Sequence, residues 1–146
     1  MISRTGLLAL KALTALAALE PDEYLGARSL ASQIDAPANY LGKLLQSLIR
    51  ERLVESQKGL GGGFRLAKDA SKISLAQVLE PIEELERWKG CFLGRGKCNS
   101  SSPCKAHEGW KKARDPFLAF LQNTVLSDLA DKDLADKSSK TKKGNR

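Results

Sequence analysis

The chain has 146 residues, 42% of them hydrophobic and 28% charged, a balance that supports one packed domain with an appended tail. No run of about 18 apolar residues occurs, which excludes a membrane-spanning helix, and the amphipathic start lacks a signal-peptide pattern, so a cytoplasmic location is expected. A net charge of +7 points to a polyanionic partner, nucleic acid first, while a single histidine leaves no Ser/His/Asp grouping for hydrolysis, so the chain is not expected to be an enzyme.

Aromatic residues make up only 5%, so the core must be built from Leu, Ala, Ile and Val, which favours helices. Residues 3–19 predict a first helix, with Leu7, Leu10, Leu13, Leu16 and Leu19 as its apolar positions. Pro21-Asp22 ends it. A short second helix follows over 27–34. Asp35-Ala36-Pro37-Ala38 is a break, and Pro37 suits the first turn of a third helix running to about Arg52. Tyr40, Leu41, Leu44, Leu45 and Leu48 form its apolar stripe. Leu53-Val54-Glu55-Ser56 then alternates like a strand. Gly59, Gly61, Gly62 and Gly63 make a turn, and Phe64-Arg65-Leu66 returns. This order is that of a winged helix-turn-helix.

Ser74-Leu75-Ala76-Gln77 looks like a capping box that starts a fourth helix. Its apolar residues are Ala76, Val78, Leu79, Ile82 and Leu85. Residues 90–104 read as a loop carrying the three cysteines. Ser102-Pro103 fits an N-cap and first helical position of a last long helix. Its face bears Trp110, Phe117, Leu118, Leu121 and Val125, and Pro116 should kink it. From Asp131 onward the chain is polar and Lys-rich, and disorder is expected there. The expected architecture is mainly α. Residues 1–72 form the winged helix-turn-helix, 73–130 a cysteine loop with a C-terminal dimerisation helix, and 131–146 a basic tail.

Charge supports a DNA-binding reading of the first part. Residues 38–72 hold seven Lys and Arg against three Asp and Glu. A recognition helix presents polar side chains from its first turns to the major groove, about 12 Å wide. Asn39, Tyr40 and Lys43 occupy those turns. The Asn39 amide can pair bidentately with adenine, while Tyr40 and Lys43 suit phosphate. Arg28 on the second helix joins them. In the wing, Lys58 precedes and Arg65 follows the glycines. Backbone at Gly59, Gly61 and Gly62 can approach phosphates closely, and a cation at the tip can enter the minor groove.

The second constellation is Cys91-x6-Cys98-x5-Cys104-x2-His107. Cys104 and His107 are three apart at an expected helix start, which places Cys104 in the first turn, where the positive helix end favours a thiolate. Three thiols and an imidazole suit Zn²⁺ or an iron–sulfur cluster. The wide gaps favour the bulkier cluster, and three free thiols are the metal-free alternative.

Taken together, Tyr40-Leu41, the wing Lys58-Gly59-Leu60-Gly61-Gly62-Gly63-Phe64, Leu66-Ala67-Lys68, the spaced cysteines and His107-Glu108-Gly109-Trp110 resemble the Rrf2 family of bacterial transcription regulators over about residues 2–130. The resemblance implies a homodimer paired through long C-terminal helices, reading a pseudo-palindromic DNA operator. It implies that Cys91, Cys98 and Cys104 ligate a [2Fe-2S] or [4Fe-4S] cluster, with His107 as the fourth ligand. Some relatives take that ligand from an acidic residue in the partner's first helix. Gly6-Leu7-Leu8 stands there in this chain and cannot ligate. Three departures stand out: a first cysteine gap of six rather than five, Gly42 in place of a specificity-tuning glutamate, and Leu60 in place of a wing-tip proline. The expected function is a DNA-binding regulator, a repressor, that senses redox, nitric oxide or iron–sulfur status. The alternative is a winged-helix protein with structural zinc or no metal, regulated by a thiol metabolite or a protein.

Overall fold

The structure, a computed structural model, describes residues 2–130. The expectations for 131–146 lie outside the described residues.

Helix α1 (Arg4–Ala17) starts at Ser3, whose hydroxyl accepts the Gly6 N–H. Its buried face is Gly6, Ala9, Ala12, Leu13 and Leu16, and Leu7 is 50% exposed. The expected stripe was therefore rotated. A step of three residues falls about 60° short of a full turn, so five leucines at that spacing wind most of the way round the helix. Small Gly6, Ala9 and Ala12 face the neighbouring helices instead, and the Glu83 carboxylate takes the Ser3 N–H at 2.8 Å.

Helices α2 (Ala27–Ile34) and α3 (Ala38–Arg50) flank the expected break, with Pro37 just ahead of α3. Asp35 closes α2 in the left-handed conformation. Leu41, Leu44, Leu45 and Leu48 of α3 are buried as expected, but Tyr40 is 43% exposed and lies outside that stripe. Strands β1 (Val54–Gln57) and β2 (Gly63–Leu66) pair antiparallel, Val54 opposite Leu66 and Gln57 opposite Gly63. Leu25, ahead of α2, adds a bridge to Phe64, with Leu25 N–H donating to the Phe64 carbonyl at 2.9 Å and Phe64 N–H returning at 2.8 Å.

Helix α4 (Leu75–Glu83) begins with the expected capping box, in which Ser74 and Gln77 satisfy each other's backbone N–H groups. It stops before Leu85, because Glu84 turns left-handed and leads into a short 3₁₀ turn over 85–89. Helix α5 (His107–Asn123) runs through Pro116, and α6 (Leu126–Leu129) follows. α5 begins later than expected. Ser102 is exposed and caps nothing, and Cys104 precedes the helix rather than occupying its first turn. The turn is set by the His107 N–H, which donates to the Cys104 carbonyl at 3.0 Å. Val125 likewise falls outside α5, where it precedes α6 and bridges to Ser74.

The buried residues of α1 to α6 form one hydrophobic core. Leu118, Leu121 and Leu126 join Leu13, Leu45 and Leu79 there. The molecule is thus mainly helical with a two-stranded wing, a winged helix-turn-helix with a long helix near its C-terminal end. Among the described residues no helix is long and apolar enough to cross a membrane.

Candidate nucleic-acid interface and metal centre

Arg28, Asn39, Lys43 and Lys58 are exposed, as are Gly59 and Gly61 at the wing tip. Gly59 and Gly61 have φ of 97° and 73°, and open space surrounds the position of an added Cβ at each. Gly62 differs. Its N–H closes the turn on the Gly59 carbonyl at 3.0 Å, and a Cβ would meet the Gln57 carbonyl oxygen at 2.3 Å. The demand for glycine at 62 is therefore internal to the hairpin.

One cation and one aromatic residue expected at DNA have protein partners as well. Arg65 is half-buried, paired with Glu55, and lies 4.5 Å from the centre of the Tyr24 ring. The Tyr40 hydroxyl hydrogen-bonds Thr5 on α1. The Glu55 pair spans the two wing strands, the Tyr24 contact joins the wing to the segment ahead of α2, and the Thr5 bond joins α3 to α1.

The second site is built on the loop between the 3₁₀ turn and α5. Gly94 and Gly96, with φ of 75° and 94°, let it fold back on itself. Cys91 N–H donates to the Gly96 carbonyl at 2.8 Å, and Gly90 bridges Lys97. This brings all four expected donors around one cavity of about 220 Å³, lined also by Arg95, Lys97, Asn99 and Ser102. The donors form two pairs. Cys91 and Cys104 Sγ are 3.7 Å apart, and Cys98 Sγ lies 3.2 Å from His107 Nδ1. His107 is 4% exposed, and the three cysteines are half-buried and unbonded as disulfides. Among the described residues no three His, Cys, Asp or Glu side chains converge tightly enough to grip one metal ion.

Backbone N–H groups of Arg95 and then Leu93 bond the Cys91 sulfur and hold this thiol below its ordinary range. Burial opposes the shift, while the Cys104 thiol and the Arg95 charge add to it. A thiolate is the form that ligates metal. The donor set of three thiols and a buried imidazole, paired around one partly open cavity, fits an iron–sulfur cluster.

Residues behind the donors were only partly anticipated. Trp110 Nε1 donates to the Gly90 carbonyl at 3.0 Å and the ring packs against Phe92 at 5.3 Å. Arg114 donates to the Lys89 carbonyl at 3.0 Å. Trp110 had been read as a helix-face residue, and Arg114 carried no signal beyond lying two helical turns after His107.

Comparison with known proteins gives findings of one kind. The family described as Rrf2, iron-dependent transcriptional regulator, matches residues 2–132. An HTH-type transcriptional regulator of Aquifex aeolicus is 31% identical over 122 residues, 81% of this chain and 85% of that protein. The HTH-type transcriptional regulator IscR of Escherichia coli is 35% identical over 91 residues, which span 62% of this chain and 56% of the relative. Among solved structures, the oxidized form of Staphylococcus aureus CymR superposes with a TM-score of 0.72 at 26% identity, covering 90% of this chain and 96% of that one. The fold, the wing and the length of the match agree, and the chain belongs to the Rrf2 family, whose members are transcriptional regulators and not enzymes.

Proposed function

We propose that this transcriptional regulator reads a pseudo-palindromic operator as a cytoplasmic homodimer and represses according to the state of an iron–sulfur cluster. One observation carries the reading: four donors spread over residues 91–107 line a single cavity as two pairs. The paired arrangement favours the [2Fe-2S] type, in which each iron takes two protein ligands. Cys91 with Cys104, and Cys98 with His107, would hold it. When bound, the cluster supplies a one-electron couple and a target for oxidants or nitric oxide. The protein's own contribution is orientation. The Gly96 carbonyl fixes the Cys91 backbone, and helix α5 fixes His107.

In the DNA-binding part, residues 1–72, Asn39 reads a base edge, while Arg28, Tyr40, Lys43 and Lys58 contact phosphate or the minor groove. Gly59 and Gly61 let the wing backbone approach the duplex. Gly62 shapes the turn, and Arg65 braces it through Glu55. Residues 73–130 hold the sensing loop and the pairing helix. The exposed Phe120 on α5 supports pairing there. Loss of the cluster would alter the loop and so the separation of two recognition helices. Such a switch needs only a modest difference in affinity between states.

The test is anaerobic purification with a visible spectrum, iron and sulfide analysis, and operator titration with and without the cluster. A brown protein with stoichiometric iron and sulfide, binding its operator differently in the two states, supports the reading. Cys98→Ala should abolish the bound iron. Equal operator affinity in both states overturns the sensing role. Zinc in a colourless protein, or failed reconstitution of a metal-free one, supports the other reading, a constitutive or thiol-regulated module in keeping with the CymR likeness.

A further inference from the structure

The residues that enter the cysteine loop are tied to helix α5 by two side chains that ligate nothing. Trp110 takes the Gly90 carbonyl and Arg114 the carbonyl of Lys89, both at 3.0 Å. These are the two carbonyls that immediately precede Cys91. His107 lies on the same helix, three residues before Trp110 and seven before Arg114, on one helical face. The Arg114 side chain is only 11% exposed, pairs with Asp115 at 2.9 Å and lies 5.9 Å from the centre of the Trp110 ring. Its neighbours thus fix the guanidinium in place. Asp115 raises the pKa of Arg114, burial opposes this, and the nearby Cys98 thiol adds to the rise.

We propose that Trp110 and Arg114 are positioning residues that latch the Cys91 end of the loop to the helix bearing His107, with Arg114 setting a fixed positive charge beside the Cys98 end. Four donors on three segments can surround one cavity only if the segments keep their spacing. Within the loop the Cys91 backbone bonds Gly96, which closes the turn but does not connect it to α5. The latch makes that connection at the base of the loop. Its charge acts at the Cys98 end of the same loop. A cation near a thiolate ligand stabilises the reduced, more negative state of a bound cluster and raises its reduction potential.

The latch can be read without any cluster, and its charge effect rests on the cluster reading given above. Trp110→Phe keeps the ring against Phe92 and removes the donor. Arg114→Gln removes the charge, and Arg114→Lys restores it without the planar fork. Amide hydrogen exchange on the cluster-free protein, with the α1 amides as internal reference, should show at least tenfold faster exchange at Cys91 in Trp110→Phe and Arg114→Gln. In cluster-loaded protein, Arg114→Gln should shift the reduced-to-oxidised ratio at fixed potential about tenfold toward oxidised, a fall of about 59 mV for a one-electron couple. Arg114→Lys should recover most of that shift. Unchanged exchange at Cys91 in both variants overturns the latch, whether or not the protein takes up a cluster. An unchanged potential in Arg114→Gln overturns the charge role. A protein that never takes up a cluster overturns the functional reading instead, and exchange still decides the latch.

Discussion

The helix-turn-helix and the cysteine loop are held together by different physics. Leu13, Leu30, Leu41, Leu45 and Leu48 are fully enclosed, and the helices around them would keep their arrangement through apolar burial alone. Over residues 92–97 every side chain is exposed. That stretch is shaped by two left-handed glycines, one turn of backbone bonding and the two side-chain hydrogen bonds from α5. The contrast teaches where each property can reside. In the function proposed above, a reading head must keep its shape against DNA, whereas a sensor must change shape at modest cost, and low local stability belongs to the second.

Several substitutions should separate the two regions. Leu45→Ala removes a fully buried side chain and should cost about 2–5 kcal/mol, read by denaturant unfolding, with DNA binding and the cysteine cavity lost together. A loss of the cavity alone would break the comparison. Gly63→Ala acts more locally. Its φ is 141°, and an added Cβ would lie 2.5 Å from the Leu25 carbonyl oxygen. It should cost roughly 1–3 kcal/mol and weaken DNA binding, while the loop thiols keep their alkylation rates. Lys58→Ala leaves the fold untouched. It should weaken DNA binding evenly across sequences and reduce the slope of log affinity against log salt by about one, measured by titration at several salt concentrations.

The smallest effect concerns the loop and pH. The thiol of Cys91 is held below its ordinary range, chiefly by the Arg95 and Leu93 backbone N–H groups, so it ionises at lower pH in the folded chain than in the unfolded one. The resulting stabilisation is fully present above the pH at which an unfolded thiol ionises, and it is lost as pH falls through the folded value. Alkylation of Cys91 in metal-free protein should therefore rise with pH earlier when folded than in urea. Coincident curves would remove the Arg95 and Leu93 bonds from the account.

Most of the DNA-binding part was legible because its signals are local. The second helix, the proline break, the buried leucines of α3 and the glycine hairpin, and beyond them the Ser74 capping box, depend on residues close in sequence. The errors have physical causes too. Five leucines spaced by three suggested a stripe that helical geometry does not allow: Leu13 and Leu16 lie on the inner face, and Gly6, Ala9 and Ala12 complete it. Ser102-Pro103 offered a plausible cap, but the chain spends those residues wrapping the cavity before α5 starts at His107. The four donors were legible by residue type, and their division into two pairs was not, since pairing depends on how a loop closes. Arg114 was invisible because its partner at Lys89 is a carbonyl, which every residue has.

The bridge between Leu25 and Phe64 carries a consequence for how a signal can reach DNA. These residues exchange both backbone hydrogen bonds, so the return strand of the wing and the entry to α2 share one ladder. The wing is a lever whose fulcrum lies inside the reading head. Displacing its tip drags α2 along or breaks two backbone bonds. The span between Lys58 and Asn39 is consequently a fixed gauge in each molecule. In the homodimer proposed above, a regulatory signal would have to act on the distance between two such gauges, as a caliper is adjusted at its hinge while its jaws keep their shape.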